Sequence, residues 1–367
     1  MSEQRPHIAI YLRWLNGGGA ERVMVNLMQN FVQQGLNIDL VMNTVAGPYL
    51  NQVPSKVRIV DLKAPRMLAS LPKLASYLQQ DKPKTLLSSL HYNNEIALWA
   101  KALPLSATKV IVSEHNTLSV HAQRCQTDRW SPLLARLFYP WADGIVAVSQ
   151  GVAQDLAEVT GLPTERIEVI YNPVITPQML VKSEEPLDHP WFQPGEPPVI
   201  LGVGRLDSQK DFPTLISAFA QVRTIKPAKL LILGSGREKK KLLALGQELG
   251  LAEDIAITGF VDNPYPYIKK AAVYVLSSIW EGFGNVIVEA LALETPVVCT
   301  DCPSGPKEIL AGGQYGELVS VGNSQFIAEA ILRVLSGQRL AVDSEWLEQF
   351  TDKISAQKYL KLIDNIS

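Results

Sequence analysis

Two carboxylates lie within one short apolar stretch of the chain, residues 277–298, "SSIWEGFGNVIVEALALETPVV". Glu281 precedes a predicted helix, and Asn285 and Glu289, four residues apart within it, share a helical face. Carboxylates accept hydrogen bonds from hydroxyl groups, and the vicinal diols of sugars or ribose supply these donors in pairs. Such a set can bind a nucleotide-sugar without a metal. The structural alternative is that Glu281 caps the helix and Glu289 pairs with a neighbour.

The turn inside this stretch adds backbone donors. Gly282, Phe283 and Gly284 separate the first carboxylate from the helix, and a glycine-containing turn leaves its amides accessible. The sequence therefore predicts a site in which carboxylates accept hydrogen bonds from a ligand and main-chain amides donate to it.

A second motif, "LGVGRLDSQKDFPTLISAF", carries two cations between a predicted strand and a predicted helix. Arg205 offers a planar fork and Lys210 a point charge, and the helix N-terminus adds a partial positive charge. This combination suits a diphosphate. The alternative is a pair of solvated basic side chains in a loop.

Near the N-terminus, "IAIYLRWLNGGGAERVMVNL" contains a strand, a glycine-rich turn and a helix. Gly17, Gly18 and Gly19 allow close approach of the backbone to a ligand, and the helix N-terminus favours an anion. Three adjacent glycines fit neither the dinucleotide fingerprint nor the P-loop. A phosphate or sugar contact and a tight structural turn both remain open.

Composition sets limits on the class of protein. The chain has 367 residues, 47% of them hydrophobic and 19% charged, with a net charge of −2. Residues 1–175 hold 16 Lys+Arg against 13 Asp+Glu, a balance of +3, and the remainder has 18 against 23, a balance of −5. These values favour a soluble globular protein with no general attraction to nucleic acid; the basic first half favours either a phosphate-bearing or membrane-surface partner, or ordinary surface scatter.

The cysteines and histidines do not predict a metal site. Three cysteines are too few for a disulfide framework, and "CTDC" lacks the second pair that a zinc site requires, so the thiols are expected to be inert. His7, His91, His121 and His189 have no ligand spacing with one another. No run approaches the ~20 apolar residues of a membrane span, and no signal peptide is apparent, so a cytoplasmic location is expected.

Strand-like and helical segments alternate along both halves of the chain, which predicts parallel sheets with right-handed crossovers. A polar, proline-rich segment without periodicity separates the halves. We therefore predict an α/β protein of two Rossmann-like, doubly wound domains facing a cleft. The expected divisions are an acceptor-binding domain at 1–175, a linker at 176–197, a donor-binding domain at 198–345 and a C-terminal helix at 346–367.

These ordered motifs resemble those of retaining family 4 glycosyltransferases with the GT-B fold. The resemblance rests on "GRLDSQKDF", "LLILGSG", "ITGFVDN", the stretch from Ser277 and "SGPKEI", and it extends to "GGGAERVMVNL" and "SEHN". It covers nearly the whole chain. The Glu-x7-Glu frame combined with the upstream Arg and Lys is more specific than either alone.

The resemblance implies a role for each matching residue. Glu281 would contact the transferred sugar, Glu289 the ribose, and Arg205 and Lys210 the diphosphate. The glycine loop at Gly17–Gly19 would close over the phosphates. Backbone contacts to the nucleobase would come from a segment that follows a further strand, namely Gly259, Phe260 and Val261. His115 of "SEHN" would lie near the reacting carbon or the acceptor.

The resemblance implies transfer of a hexose or N-acetylhexosamine from a nucleotide-sugar, without a metal and with retention of the anomeric configuration. It further implies that the donor is a UDP-sugar. The acceptor would be a glycan or a lipid-diphosphate-linked sugar in bacterial cell-surface polysaccharide or glycoconjugate synthesis. No cofactor is expected besides the donor substrate. A nucleotide-sugar epimerase and a non-catalytic binding partner remain as alternatives.

Two further features bear on this interpretation. The lysine of the second motif is often followed by glycine in the family, whereas here Asp211 follows it, and we expect this carboxylate to cap the next helix. Residues 65–84, "PRMLASLPKLASYLQQDKPK", form a basic amphipathic segment. Its apolar positions are Met67, Leu68, Leu71, Leu74 and Leu78. The segment is either an ordinary surface helix or a contact of the N-terminal domain with an anionic membrane.

Overall fold

The computed structural model describes residues 7–103, 106–125 and 128–366. The chain divides into two compact units. The first comprises Met1–Val174 together with Gln349–Ser367, and the second comprises Ile175–Glu348.

The first unit is built on a parallel sheet of seven strands in the order β3-β2-β1-β4-β5-β6-β7. The order reverses between β1 and β4, which is the position where doubly wound folds bind ligands. The strands are β1 His7–Leu12, β2 Asn37–Met42, β3 Arg58–Asp61, β4 Thr85–Ser89, β5 Lys109–Glu114, β6 Gly144–Ala147 and β7 Ile167–Val169. The helices of this unit are α1 Gly19–Gln33, α2 Met67–Asp81, α3 His91–Ala102, α4 Leu118–Arg124, α5 Ser131–Phe138, α6 Gln150–Thr160 and α15 Asp352–Asn365.

The second unit repeats the design with six parallel strands in the order β10-β9-β8-β11-β12-β13. Here the order reverses between β8 and β11. The strands are β8 Val199–Val203, β9 Lys229–Leu233, β10 Ile255–Gly259, β11 Val273–Leu276, β12 Val297–Thr300 and β13 Glu317–Val319. The helices are α7 Pro177–Ser183, α8 Phe212–Ile225, α9 Lys239–Glu248, α10 Tyr265–Lys270, α11 Asn285–Ala292, α12 Pro306–Ile309, α13 Ser324–Leu335 and α14 Ser344–Glu348.

The central strands are buried, as their near-continuous apolar sequences predict for parallel sheets covered on both faces. In the first unit, β1 and β4 pack against the apolar face of α1, whose Met24, Leu27 and Phe31 are fully buried. In the second, β8 and β9 pack against α8 through Leu215 and Phe219. Two separate cores therefore hold the two sheets, and the predicted pair of Rossmann-like units is confirmed.

The segments expected to lie outside the two domains are distributed between them. The proline-rich stretch expected at 176–197 contains helix α7, which packs against α10 and groups with the second unit. The expected C-terminal helix at 346–367 is shared, because α14 ends at Glu348 in the second unit whereas α15 packs against α1 in the first. Tyr359 of α15 is buried there. The periodicity of the sequence could not show against which sheet a terminal helix packs.

Within the described residues, no helix combines the length and the apolar character needed to cross a bilayer. Cys299 and Cys302 are buried thiols, and burial raises the pKa of Cys302 to about 12. These two thiols therefore stay protonated near neutral pH, which agrees with the inert role predicted for them.

Candidate active site

The loops that follow β8 and β11 lie side by side because these two strands are neighbours in the second sheet. Lys210 lies in the first loop and Glu281 in the second. Since parallel strands all end at the same edge of the sheet, residues 71 positions apart in sequence meet at the point where the strand order reverses.

Lys210 and Glu281 form a salt bridge, with Nζ and Oε1 2.5 Å apart. The lysine side chain is 18% exposed and the glutamate side chain 8% exposed. The hydroxyl of Ser278 also donates to Oε1 at 2.5 Å. A carboxylate removed from water needs such partners, since an unpaired buried charge is strongly destabilising. The structure therefore brings together two of the predicted site residues and fixes the carboxylate with a serine that the sequence did not single out.

Three further hydrogen bonds tie the two loops together. Gln209 Nε2 donates to the carbonyl of Trp280 at 2.9 Å, and the backbone N–H of Ile279 donates to the carbonyl of Gln209 at 2.8 Å. Ser277 Oγ donates to the carbonyl of Lys210 at 2.7 Å. Because Gln209 is buried, these bonds are shielded from water and hold the cation and the carboxylate in register. Sequence patterns gave no reason to select Gln209 or Ser277, because their role depends on the neighbouring loop.

Arg205 is placed differently from Lys210. Its side chain is 68% exposed, its Nε lies 3.5 Å from Asp207 Oδ2, and its Nη2 donates to Gln209 Oε1 at 3.1 Å. An exposed guanidinium can turn toward an anionic ligand at little cost, whereas Lys210 is already fixed against Glu281. The two predicted cations thus occupy one loop, one of them buried in a salt bridge and the other in solvent.

Asp211 occupies the expected N-cap position of α8 but forms no side-chain capping bond of the usual geometry; its Oδ2 accepts a hydrogen bond from the hydroxyl of Thr214 at 2.7 Å. Its backbone has φ +45°, in the left-handed region that glycine adopts without strain and that aspartate tolerates better than most residues. Glycine would adopt this backbone conformation without strain, which agrees with the departure from the family pattern noted in the sequence. Burial raises the pKa of Asp211, with the Thr214 bonds acting in the opposite direction.

Helix α11 carries the second predicted carboxylate. Gly284 precedes it with φ +104°, and α11 begins at Asn285 and includes Glu289, which is 4% exposed. The charges of Glu281 and Glu289 both act to raise the pKa of the buried Tyr274 phenol, after the larger effect of burial. Both carboxylates therefore lie within electrostatic range of one residue of β11. Phe283 is buried, so the turn presents its backbone and not this ring to solvent.

The predicted nucleobase segment lies at the end of the edge strand β10. Gly259 has φ +92°, its carbonyl accepts from the N–H of Gly234 at 2.8 Å, and the following Phe260 is 45% exposed. Val261 is half-buried. An exposed aromatic ring beside an open backbone turn is compatible with stacking on a base.

The Gly-x-Gly of "LILGSG" has a steric explanation in the structure. A Cβ on Gly234 would lie 1.8 Å from the carbonyl oxygen of Gly204, and one on Gly236 would lie 2.4 Å from that of Leu206. Both glycines therefore let the loop after β9 pack directly on the backbone of the loop that carries Arg205 and Lys210. Their role is to position that loop.

The glycine loop of the first unit connects β1 to α1. Gly17 has φ +90° and its carbonyl accepts a hydrogen bond from the hydroxyl of Tyr49 at 3.2 Å, and α1 begins at Gly19. The carboxylate of Glu21 lies over Gly18, 2.2 Å from where a Cβ would be. An anion binding at this helix N-terminus would have to displace the flexible Glu21 side chain.

His115 follows β5 in the first unit and is buried. Its Nε2 lies 3.1 Å from Ser113 Oγ, which is itself 3.1 Å from the hydroxyl of Tyr359 on α15. Burial lowers the pKa of His115 to about 3, so the imidazole is neutral at physiological pH. A neutral imidazole beside a hydroxyl can accept or donate a single hydrogen bond, and it contributes no positive charge to an anion.

The depressed pKa of His115 predicts a pH-dependent stability. Below the ordinary histidine pKa of about 6.5 the unfolded chain binds a proton that the folded chain excludes, so the free energy of unfolding falls as the pH falls. Between pH 8 and pH 5 this single group should remove about 2 kcal/mol. Urea unfolding at the two pH values, compared between wild type and His115→Gln, measures that difference. An identical pH dependence in both proteins would refute the assignment.

Known proteins place this chain in a family. Residues 17–177 match the family model described as Glycosyltransferase Family 4, and residues 184–346 match the one described as Glycosyl transferases group 1. The chain is 31% identical over 345 residues to the N-acetylgalactosamine-N,N'-diacetylbacillosaminyl-diphospho-undecaprenol 4-alpha-N-acetylgalactosaminyltransferase of Campylobacter jejuni, covering 91% of each chain. It is 26% identical over 357 residues to the lipopolysaccharide core biosynthesis glycosyltransferase LpsE of Rhizobium meliloti, covering 94% of this chain and 96% of that one.

Solved structures show the same fold. HepE of Anabaena, crystallised with UDP and glucose, superposes with a TM-score of 0.78 at 20% identity, over 98% of this chain and 100% of that one. The lipopolysaccharide outer core galactosyltransferase WaaB, in its apo form, superposes with a TM-score of 0.72 at 21% identity, over 98% of this chain and 99% of that one.

Two parallel-sheet units of this kind, superposing on these structures over nearly their whole length, define the GT-B fold. The matching family model and the relative of near-equal length identify the chain further. The chain belongs to the family 4 glycosyltransferases.

Proposed function

We propose that this protein transfers a hexose or N-acetylhexosamine from a UDP-sugar to a lipid-diphosphate-linked glycan during synthesis of a bacterial cell-surface polysaccharide. The observation that carries the proposal is the Lys210–Glu281 salt bridge at the switch point of the second sheet, with Arg205 exposed on the same loop. The Campylobacter relative, whose name specifies a diphospho-undecaprenol acceptor, supports the acceptor class. The complex of HepE with UDP and glucose supports the nucleotide.

In this proposal the donor diphosphate binds the loop after β8. Lys210 and Arg205 supply the positive charge that a divalent cation would otherwise provide, and they stabilise the negative charge that develops on the leaving UDP. Glu281 accepts hydrogen bonds from the hydroxyls of the transferred sugar, and Glu289 accepts those of the ribose. The backbone at Gly259–Val261 contacts the base, and the amides of the Gly282–Asn285 turn donate to the donor.

The transfer retains the anomeric configuration. The acceptor hydroxyl attacks the anomeric carbon from the face that UDP leaves, the bond from that carbon to the phosphate oxygen breaks, and the hydroxyl proton passes to the departing phosphate oxygen. Glu281 is a poor nucleophile for a two-step route, because Lys210 and Ser278 both bind its Oε1. His115 contacts the acceptor as a neutral hydrogen-bonding group. The Gly17–Gly19 loop contacts the donor phosphates.

A nucleotide panel tests the donor assignment. UDP and one UDP-sugar should raise the melting temperature of the protein, because a ligand at 100 times its Kd stabilises the native state by about 2.7 kcal/mol. ADP and GDP should not bind and should leave the melting temperature unchanged. The Lys210→Ala variant should lose most of this shift. Stabilisation by GDP or ADP instead of UDP would overturn the nucleotide assignment. Conversion of the UDP-sugar without an acceptor would favour the epimerase alternative, and NMR of the product's anomeric proton checks retention.

In this proposal the enzyme acts in the cytoplasm at an acidic membrane, and the exposed apolar side chains of the first unit decide which segment makes the contact. The sequence suggested α2, but Leu74 and Leu78 of that helix are buried in the first unit. Of its predicted apolar positions, Leu68 is 69% exposed. For most of the segment the ordinary interpretation, a surface helix with an internal apolar face, is therefore correct.

The α5 surface is the better candidate for the membrane contact. We define it as four exposed apolar side chains on and beside α5, with exposed fractions of 57%, 48%, 53% and 50%, namely Trp130, Leu133, Leu137 and Trp141. Exposed arginines at positions 124, 129 and 136 lie along the same segment, and the guanidinium of Arg129 lies 5.2 Å from the Trp130 ring. Tryptophan and leucine flanked by arginine suit the interface of an anionic bilayer.

Vesicle flotation distinguishes the two segments. Wild-type protein should float with vesicles containing anionic lipid, and the double variant Trp130→Ser/Leu137→Ser should bind at least tenfold more weakly, because burial of each side chain contributes about 1.5–3 kcal/mol. Leu68→Ser removes a still more exposed leucine, 69% exposed, from α2 and is expected to float like wild type. Loss of flotation in Leu68→Ser with retention in the double variant would return the contact to α2.

A further inference from the structure

Unsatisfied polar atoms are concentrated where β4 ends and α3 begins. Eight buried side-chain nitrogen and oxygen atoms within residues 85–95 lack a hydrogen-bond partner among the residues that the structure describes. Both ring nitrogens of His91, the first residue of α3, are among them, and this side chain is only 3% exposed. Buried polar groups without protein partners are costly, so these atoms need a water, an ion or another bound group to satisfy them.

A second set of polar side chains lies on and after α4. His121 and Cys125 are one helical turn apart, and Asp128 follows them. Their potential ligand atoms all lie within 4.8 Å of one another. His121 Nε2 is 2.8 Å from Asp128 Oδ2, and Cys125 Sγ is 3.9 Å from His121 Nδ1. An imidazole, a thiol and a carboxylate are the donor types that bind Zn²⁺.

His91 connects the two sets. Its Nε2 lies 3.9 Å from Asp128 Oδ1, and its ring centroid lies 6.1 Å from that of His121. A separation of 3.9 Å is too long for a hydrogen bond. Two ligands of a tetrahedral Zn²⁺ are about 3.4 Å apart for nitrogen and oxygen and about 3.6 Å for nitrogen and sulfur. His91 is therefore placed to share a cation with Asp128, but it lies outside the three-residue group whose ligand atoms are all within 4.8 Å of one another, so its side chain would have to move inward for all four groups to bind one ion.

We propose that His91, His121, Cys125 and Asp128 form a binding site for Zn²⁺ in the first unit. One thiolate and one carboxylate neutralise the dication, and two imidazoles complete a tetrahedral set. Metal binding releases the proton of the Cys125 thiol and opens the His121–Asp128 hydrogen bond.

The proposed site departs from two predictions made from the sequence, which stay predictions until metal binding is measured. Cys125 was expected to be inert, and the histidines showed no ligand spacing with one another. The spacing was uninformative because His91 comes from the end of β4, whereas the other three groups come from α4 and the residues after it. Only the adjacency of β4 and β5 in the sheet brings these segments together.

The role we infer for the cation is structural. It would join the first residue of α3 to the segment that leads into α5, and so hold the short helix α4 in place. None of the four proposed ligands lies on the loop that carries Arg205 and Lys210, so the metal proposal is tested separately from the assignment of the diphosphate site. Failure of the metal proposal would leave that reaction unaffected.

Cobalt binding tests the site directly. Chelator-treated, full-length protein should bind one Co²⁺ with tetrahedral visible bands and a thiolate-to-metal absorption in the near ultraviolet, and Zn²⁺ should displace it and raise the melting temperature. Cys125→Ser should lose the thiolate absorption, and His91→Gln should weaken Zn²⁺ binding at least tenfold. Cys302→Ala removes a thiol of the second unit and should leave both properties unchanged.

A second measurement avoids dependence on folded variants. In the wild-type protein, Zn²⁺ should slow alkylation of Cys125, located by mass spectrometry of its peptide, at least tenfold. The proposal is overturned if no Co²⁺ or Zn²⁺ binds, if the bound Co²⁺ shows no thiolate absorption, or if Zn²⁺ leaves the alkylation rate unchanged. Retention of tight binding in His91→Gln would remove that residue from the site.

Discussion

Replacing Lys210 with alanine should lower the turnover of sugar transfer by roughly 10²–10³-fold, the usual cost of losing one preorganised charged contact to a developing anion. The physical reason lies in its placement. The ammonium is largely buried, it is fixed against Glu281, and it lies at the switch point where the diphosphate is proposed to leave. Turnover of the UDP-sugar with a lipid-diphosphate acceptor measures the effect, and kcat should fall more than KM rises.

Glu281→Ala should cause a loss of the same order, because the sugar hydroxyls lose their acceptor and Lys210 loses the partner that orients it. The two losses should not add in the double variant, since the residues act as a unit. Lys240→Ala, which removes an exposed lysine from α9, controls for a change in net charge and should retain wild-type turnover. Both site variants must melt within a few degrees of wild type for the result to count. Wild-type turnover in a folded Lys210→Ala protein would refute the assignment.

The arrangement of the second unit was largely predictable from its sequence. Strands and helices alternate regularly there, and each motif falls in a loop at the end of a strand. Because all the strands are parallel, those loops had to converge on one edge, which places Arg205, Lys210 and Glu281 in adjacent loops. The physical basis of that prediction is local periodicity combined with the handedness of the crossovers.

The supporting contacts could not be predicted in the same way. The partner of Ser277 is 67 residues away in sequence and that of Gln209 is 71 residues away, whereas Ser278 binds a residue only three positions along the chain. Nothing in the local sequence shows whether the partner of such a side chain is near or distant. Their selection depends on the register between two loops, which is a tertiary property. The glycines illustrate the same limit, since Gly234 matters because the Gly204 backbone lies against it.

The first unit was the less predictable of the two. The amphipathic pattern of α2 is the same for a helix that covers a core and for one that binds a bilayer, so the sequence could not assign its apolar face. The structure assigns Leu74 and Leu78 to the core and leaves Trp130 and Leu137 in solvent. Likewise, no sequence pattern singled out His91. Its ring nitrogens suggest a binding site only because the structure shows them buried without a hydrogen-bond partner among the described residues.

Gly305→Ala should cause a large loss of stability and of turnover. Gly305 precedes α12 with φ +90°, and a Cβ there would lie 1.8 Å from the carbonyl oxygen of Phe283. The left-handed backbone alone costs an alanine about 1–2 kcal/mol. The atoms that this Cβ would meet belong to the backbone of Phe283, so the collision can be removed only by displacing the turn between Glu281 and α11. We expect the free energy of unfolding to fall by more than about 3 kcal/mol and turnover to fall by about 10²-fold, since a shift of about 1 Å at a site can cost that much.

Gly322 provides a matched control for this argument. It also has a positive φ, +72°, and it lies in the same unit, but a Cβ at this position would have nothing within 4 Å. Gly322→Ala therefore carries the backbone strain without the collision, and should cost about 1 kcal/mol while leaving turnover within twofold of wild type. Urea unfolding and a transfer assay on both variants separate the two effects. Equal losses in the two proteins would show that strain alone accounts for Gly305, and that the turn at Phe283 does not depend on the missing side chain.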